Sequence, residues 1–214
     1  MKKLFLTSLC IIISAASLLA QEADNKSKAI LDDLANKIKS YNTLRIDFTY
    51  KMENKQEKIN ESINGVLFLK KEKYRLELDQ QIVICDGKTV WTYLKDANEV
   101  QVNNITESDD EITPQNIFTI YEKGHRRKHI REGQENGKKV NVVELVPKET
   151  KQYYKVRLNI EKTTNMLVSA VVFDRNNTTF TYTISKNQPN ISIADEKFTF
   201  NAASYPKVEI IDLR

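Results

Sequence analysis

The sequence predicts a mainly β protein built on one curved antiparallel sheet of about eleven or twelve strands, accompanied by two helices. The first observation is alternation: over residues 74–79 every second side chain is apolar, as in a strand with one buried face. The second is turn chemistry, because Asp86-Gly87 and Asn136-Gly137 are placed to form tight hairpins. The third is the regular spacing of such turns, which favours a single sheet over several domains.

The first residues are typical of a secretory signal peptide. A basic start at residues 1–3 precedes an apolar stretch, residues 4–16, that is too short to span a bilayer comfortably. Leu-Leu-Ala before Gln21 is an acceptable cleavage site. We therefore expect residues 1–20 to be removed, residues 21–214 to form one domain, and the mature chain to reside in the periplasm. An uncleaved membrane anchor is the alternative.

An amphipathic helix is predicted for residues 23–40. Its apolar stripe is narrow and contains Ile30, Leu34 and Ile38. The next segment, residues 45–52, alternates cleanly between polar and apolar side chains and predicts a strand. The helix therefore has one face to bury, and the sheet that follows supplies a surface for it.

A second, short helix is predicted for residues 114–122. Thr113 is placed to cap it and Pro114 to occupy its first turn, while Gly124 supplies the stop. The segment is apolar around much of its circumference and is marginal without tertiary contacts. Such a helix is suited to filling a concavity in a β protein. A helix that caps one end of an ordinary barrel fits the pattern equally well.

Composition and motifs argue against several classes of function. The formal net charge of +4 is too mild to indicate nucleic-acid binding, and the chain has no glycine-rich phosphate loop or nucleophile elbow. His125 and His129 have no further His or Cys companion, which makes a poor zinc site. Cys85 is the only cysteine after residue 20, so we expect it to be buried and unpaired. We therefore expect no enzymatic activity, no metal and no cofactor.

Three ordered motifs carry a resemblance to a known family. Residues 86–93 (DGKTVWTY) are followed by NEVQ at residues 98–101. A strand and basic turn, GVLFLKK at residues 65–71, precede them, and KFTF at residues 197–200 lies near the end. In this order and spacing the motifs resemble those of the bacterial outer-membrane lipoprotein carrier proteins. The likeness spans most of the chain after residue 20.

The resemblance implies a half-closed, open β-barrel in which the helices at residues 23–40 and 114–122 form a lid. It also implies a periplasmic chaperone that binds the acyl chains of lipoproteins and transfers them toward the outer membrane. Its partners would be an inner-membrane lipoprotein-releasing transporter and an outer-membrane acceptor. A carrier is needed because each acyl CH₂ kept from water is worth roughly 0.8 kcal/mol. We expect a monomer that does not bind nucleic acid.

Strand alternation and the implied lid together give the candidate site residues. The predicted acyl-cavity wall comprises Phe48, Tyr50, Leu67, Leu69, Tyr74, Leu76 and Leu78. If the opposite face of each strand lines the cavity, each of these residues is replaced by its neighbour in sequence. The predicted lid side chains are Ile117, Phe118 and Tyr121. Trp91 and Tyr93 are expected to pack within the sheet.

The basic turn that ends at Lys71 is the predicted lid latch. The resemblance implies that Lys71 takes the place of an Arg that ties the lid shut in the best-known family members. Its ammonium lacks the planar fork of Arg, so we expect a looser latch. Two other functions remain open: a periplasmic lipid-binding sensor or regulatory module and, less economically, an enzyme on the same fold.

Overall fold

The computed structural model describes residues 24–105, 112, 118, 120–122 and 124–214. These residues contain one α-helix, α1 (residues 24–39), and a set of β-strands. The strands are β1 (Leu44–Asn54), β2 (Ile59–Lys70), β3 (Lys73–Leu78), β4 (Gln81–Cys85), β5 (Thr89–Leu94), β6 (Glu99–Asn104), β7 (His125–Glu135), β8 (Lys138–Pro147), β9 (Tyr153–Glu161), β10 (Leu167–Asp174), β11 (Thr179–Pro189) and β12 (Glu209–Asp212). Short 3-10 turns lie at Ile120–Glu122, Asp195–Phe198 and Ala202–Ser204. The predicted signal peptide, residues 1–20, lies outside the described residues.

The strands form one twelve-stranded sheet in the order β12-β6-β5-β4-β3-β2-β1-β11-β10-β9-β8-β7. β1 to β6 form one meander and β7 to β11 form another, and the pairing of β1 with β11 joins the two. The sheet is open, because β12 and β7 lie at its two edges. The prediction of a mainly β fold with a single open sheet is therefore confirmed. One pairing is parallel, that of β12 with β6.

Helix α1 packs on one face of this sheet, which we call the inner face. Leu31, Leu34 and Ala35 are at most 2% exposed and belong to the same core as strand residues from both meanders. Ile30 and Ile38, from the predicted stripe, lie at the margins of this contact. The helix ends where Ser40 N donates to Asn36 O at 2.9 Å. In the described part of the chain, no helix is both long and apolar enough to cross a membrane.

The opposite, outer face of the sheet is covered on one side by the segment between β11 and β12. Phe198, from the 3-10 turn at Asp195–Phe198, is fully buried against Phe68 and Ile193. Lys197 places its Nζ 3.8 Å from the centre of the Phe68 ring. This segment crosses the outer face and delivers β12 to the edge of β6, which explains why that one pair is parallel.

The predicted hairpins are present with the backbone geometry that their residues favour. Gly87 has a φ of 97°, and the side chain of Asp86 accepts hydrogen bonds from the backbone N–H groups of Lys88 and Thr89. In the β7–β8 hairpin, Asn136 and Gly137 both have positive φ, as a type I′ turn requires. These turns fix the register of the strands. In that register every second residue points to the inner face, and the apolar side chains occupy these positions.

Candidate ligand-binding cavity

An apolar cavity of about 170 Å³ lies on the inner face, beneath Ile112 and Phe118 of the segment between β6 and β7, which we call the lid segment. Side chains of β1, β2, β3, β10 and β11 form its wall, and two residues of the segment between β6 and β7 lie over it. The lining residues are Ile46, Phe48, Leu67, Leu76, Ile112, Phe118, Leu167, Ala170, Tyr182 and Ile184. Tyr182 is the one lining side chain with a polar group among these described residues.

Strand register explains why these side chains meet. Ile46 of β1 lies opposite Leu67 of β2, and Leu67 lies opposite Leu76 of β3. Residues opposite each other in antiparallel strands point to the same face of the sheet. On the other side of β1, Phe48 lies opposite Ile184. The alternating pattern of each strand therefore adds up to one continuous apolar wall.

All seven residues of the predicted wall lie in or against the inner-face core. Phe48, Leu67 and Tyr74 are buried, whereas Tyr50, Leu69, Leu76 and Leu78 are half-buried. Three of the seven, Phe48, Leu67 and Leu76, line the cavity itself. The predicted face is thus the inner one, and the binding role of these residues stays a prediction.

The lid segment is described only in part. Phe118 lines the cavity, and Ile120 and Tyr121 are buried in the same core. Ile120–Glu122 forms a single 3-10 turn at the end of the region where a second helix was predicted. Ile117 and most of the predicted helix at residues 114–122 lie outside the described residues.

Polar contacts join this segment to helix α1. The hydroxyl of Tyr121 donates to Asp32 Oδ1 at 3.0 Å, and Lys39 Nζ lies 3.5 Å from Glu122 Oε1. Lys28 lowers the pKa of Asp32 by a hydrogen bond, and the Tyr121 hydroxyl lowers it further, against the opposing effect of partial burial. The lid and the helix are therefore held to each other by side chains as well as by the core.

The start of α1 is tied to strand β7 in the same way. Arg127 Nη2 donates to Asp24 Oδ2 at 3.2 Å, and Lys26 Nζ lies 3.3 Å from Glu132 Oε1. The Nε of Arg127 is buried and makes no hydrogen bond to any described residue. Together these contacts fasten the helix to the β7 edge of the sheet.

Lys71, the predicted latch, lies at the turn between β2 and β3. It is exposed, with a φ of 53°, and its neighbours Lys70 and Lys73 lie 3.1 and 3.4 Å from Asp195 Oδ1 on the outer face. Of the lid backbone that it was expected to hold, most of residues 114–122 lies outside the described part of the chain. Its role as a latch therefore stays a prediction.

A second, more polar hollow of about 290 Å³ adjoins the cavity, and we call it the mouth. It is lined by Tyr50, Ile112, Gln152, Tyr153, Val172, Asp174, Phe180 and Tyr182. Ile112 and Tyr182 line both spaces, so the mouth and the cavity lie side by side. At its side, Tyr153 OH and His125 Nε2 share a hydrogen bond of 2.9 Å. An apolar chain with a polar end would fit this arrangement.

The remaining residues singled out in the sequence lie away from the cavity. Tyr93 packs on Tyr205 with ring centres 4.5 Å apart, and Trp91 is half-buried in the same strand, β5. Cys85 is buried, and burial raises the pKa of its thiol. His129 Nε2 lies 3.3 Å from Asn141 Oδ1. No group of three or more metal-ligating side chains occurs among the residues that the structure describes.

Several cavity residues were not in the predicted set. Leu167, Ala170, Tyr182 and Ile184 come from strands that are remote in sequence from β1 and β2. Tyr182 and Ile184 belong to an alternating run in β11, so the sequence did indicate that they share one face of a strand. Only the pairing of β1 with β11 shows that this face points to the cavity. Ile46 alternates with Phe48 and was identifiable in the same way.

The protein has an open sheet, and its inner face holds a covered apolar cavity. This arrangement defines a class of half-barrel proteins with one apolar face. A profile of the family described as outer membrane lipoprotein carrier protein LolA matches residues 39–201. The chain belongs to this family.

A comparison with solved structures gives matches at low identity. An uncharacterized conserved protein from Thermus thermophilus has a TM-score of 0.60 at 10% identity, over 87% of this chain and 99% of that one. A domain from Vibrio parahaemolyticus, described as a candidate outer membrane lipoprotein-sorting protein, has a TM-score of 0.48 at 13% identity, over 82% and 97%. A LolA superfamily protein from Nitrosomonas europaea has a TM-score of 0.45 at 10% identity, over 81% and 97%. A search of curated proteins found no match.

Proposed function

We propose that this protein is a periplasmic carrier that binds the acyl chains of lipoproteins in the inner-face cavity and transfers them toward the outer membrane. One observation carries the proposal: an apolar cavity that adjoins a more polar mouth is covered by the side chain of Phe118. Family membership supports it, since the family is named for lipoprotein carriage. The protein acts by binding and release, without enzymatic chemistry.

The size of the cavity indicates how loading takes place. A space of about 170 Å³ compares with an apolar cavity of about 150 Å³ that accepts one benzene molecule. A long acyl chain therefore needs the space that the lid side chains occupy. Phe118 and Ile120 leave the core as the chain enters, and the chain replaces their contacts with the wall. Release is the reverse exchange, so affinity is set by competition between lid and ligand.

The variant Phe118→Glu tests this mechanism. In the loaded state the displaced residue 118 covers the acyl chain. A carboxylate at this position either loses its hydration without gaining a partner or leaves the chain exposed to water, and both disfavour the loaded state. We expect uptake of a triacylated lipoprotein from inner-membrane vesicles to fall roughly tenfold or more. The measurement is the amount of lipoprotein that co-purifies with the protein after the vesicles are sedimented.

Ile210→Glu is the matched control, because Ile210 is 54% exposed on β12, far in sequence from the lid. Circular dichroism verifies that both variants keep the sheet. Equal loading of Phe118→Glu and the parent would overturn the lid-and-cavity mechanism. Binding of free lipid without any uptake of lipoprotein would favour a lipid-binding regulatory module instead.

The proposed location in the periplasm has its own test. Export with cleavage after Ala20 gives a mature chain that begins at Gln21, which N-terminal sequencing of the protein from its native envelope measures directly. An inner-membrane transporter that supplies the lipoprotein and an outer-membrane acceptor are the partners that this route requires. Recovery of the chain with Met1 in the inner-membrane fraction would contradict the proposal.

A further inference from the structure

Two tyrosines lie side by side at the junction of the cavity and the mouth. Tyr50 of β1 is directly opposite Tyr182 of β11, and their ring centres are 5.1 Å apart. Both side chains line the mouth, and Tyr182 also lines the cavity. Phe48 and Phe180 flank the pair, with ring centres about 6 Å away. The two phenols are thus held by packed aromatic rings where an apolar chain would meet its polar end.

Neither hydroxyl is used within the fold that the structure describes. Tyr121 donates to Asp32, and Tyr93 donates to Asn98. By contrast, among the described residues nothing forms a hydrogen bond with the hydroxyl of Tyr50 or Tyr182. Both tyrosines are half-buried, so their hydroxyls can reach water at the mouth while their rings stay packed. A ligand carbonyl that enters the mouth can take the place of that water as hydrogen-bond acceptor.

Both phenols are suited to donate. Burial raises the pKa of Tyr182 to about 12, and burial followed by the charge of Glu61 raises that of Tyr50. They remain protonated over the whole physiological pH range. The mouth also disfavours an anionic ligand head, because Asp174 is the only charged side chain among its described lining residues. A neutral oxygen acceptor is therefore favoured over a carboxylate.

We infer that Tyr50 and Tyr182 donate hydrogen bonds to the ester or amide carbonyl oxygens that join acyl chains to their headgroup. The ligand lies with its chains in the cavity and its carbonyls at the mouth. This inference rests on the proposed function and adds the group by which an acyl ligand is recognised. Acylated lipoproteins and diacyl phospholipids both present such carbonyls, so the shared chemistry is an acyl ester or amide.

Ether lipids provide the direct test, since they keep the chains and headgroup but lack the carbonyls. The affinities of a diacyl glycerophosphocholine and its dialkyl ether counterpart of equal chain length are measured by displacement of a fluorescent acyl probe. We expect the parent to bind the ester more tightly by roughly two- to tenfold for each hydrogen bond. Tyr50→Phe together with Tyr182→Phe should abolish the preference, so that the ratio of ester to ether affinity falls to about one.

Two further arms complete the experiment. A triacylated lipopeptide, measured in parallel, distinguishes the sources of the carbonyl: tighter binding than the phospholipid identifies acylated protein as the ligand, and the reverse identifies membrane lipid. Tyr154→Phe is the control, because its phenol is 44% exposed and lines neither space. It should keep the full ester preference.

The outcomes separate the inference from the proposed function. Equal binding of ester and ether by the parent, or an ester preference that survives in the double variant, overturns the role of the tyrosines and leaves the carrier proposal standing. Failure of the parent to bind any of the acyl ligands overturns both.

Discussion

Gly65 is where a single atom decides how the cavity wall packs. A Cβ added at this position would lie 2.4 Å from Phe48 Cζ and 2.8 Å from Leu78 Cδ2. The ring of Phe48 can therefore lie across β2 only because its partner in the pair has no side chain. The sequence shows the glycine, but a glycine within a strand pattern is usually read as a weak point. Here it makes room for a ring that lines the cavity.

Replacing this glycine should destabilise the protein. Gly65→Ala forces the Phe48 ring and Leu78 to move within a packed core, and we expect a loss of roughly 1–3 kcal/mol in the free energy of unfolding. Urea denaturation followed by circular dichroism measures it.

Gly133→Ala is the control for that substitution. Its added Cβ would meet Arg131 Nη1 at 2.4 Å, and this atom is the end of a flexible side chain that can move away. We expect a much smaller change in stability there. A similar loss in both variants would show that crowding at Phe48 is not the cause.

At the scale of elements, the lid and helix α1 form one unit through Asp32 and Tyr121. The two residues are 89 positions apart, and neither local propensity nor alternation indicates that they meet. The apolar character of residues 114–122 predicted a lid segment over the sheet, and the core does contain Phe118, Ile120 and Tyr121 from this range. The polar contact could not be predicted, because it depends on the distance between two elements that sequence patterns treat separately.

Tyr121→Phe should loosen this unit without emptying the core. It removes the donor to Asp32 and keeps the buried ring, so we expect hydrogen exchange of amides in residues 120–122 to accelerate by roughly two- to tenfold. Tyr154→Phe, at an exposed site, should leave this exchange unchanged. Identical exchange in the parent and Tyr121→Phe would exclude the contact as a determinant of lid closure.

The same contact should depend on pH. The pKa of Asp32 is lowered from 3.8 in the folded state, chiefly by Lys28. Its contribution to stability is therefore complete above about pH 4 and is lost as the pH falls through the lowered folded-state value. Lid opening measured by exchange should rise in that acidic range in the parent. Asp32→Asn should lack this part of the pH dependence, and a retained profile would assign it to another carboxylate.

Across the whole molecule, the predictable features are those that depend on neighbours in sequence. The Asp86-Gly87 and Asn136-Gly137 hairpins and the alternation of β3 and β9 follow from local rules, and the structure contains them. The pairing of β1 with β11 brings together residues that are far apart in sequence, such as Phe48 and Ile184. No local sequence rule predicts this pairing. That pairing joins the two meanders and brings the β10 and β11 side chains into the cavity wall.

The β1–β11 pairing also implies that the two meanders unfold together, because one core contains Leu67 and Cys85 from the first and Val156 and Leu158 from the second. Leu158→Ala removes a side chain that is 1% exposed, and we expect it to cost roughly 2–5 kcal/mol.

The single tryptophan, Trp91, lies in the other meander and gives an independent probe of unfolding. If the sheet is one cooperative unit, the urea midpoint of Leu158→Ala falls equally by Trp91 fluorescence and by circular dichroism, since coincident transitions mark a two-state process. Val146→Ala, at a 38% exposed site on β8, should shift the two midpoints little. A fluorescence midpoint that stays at the parent value while the circular dichroism midpoint falls would mean that the meanders unfold separately. The cavity wall would then be assembled from two independently stable halves, and acyl chains could enter by parting them at β1 and β11 rather than by displacing the lid.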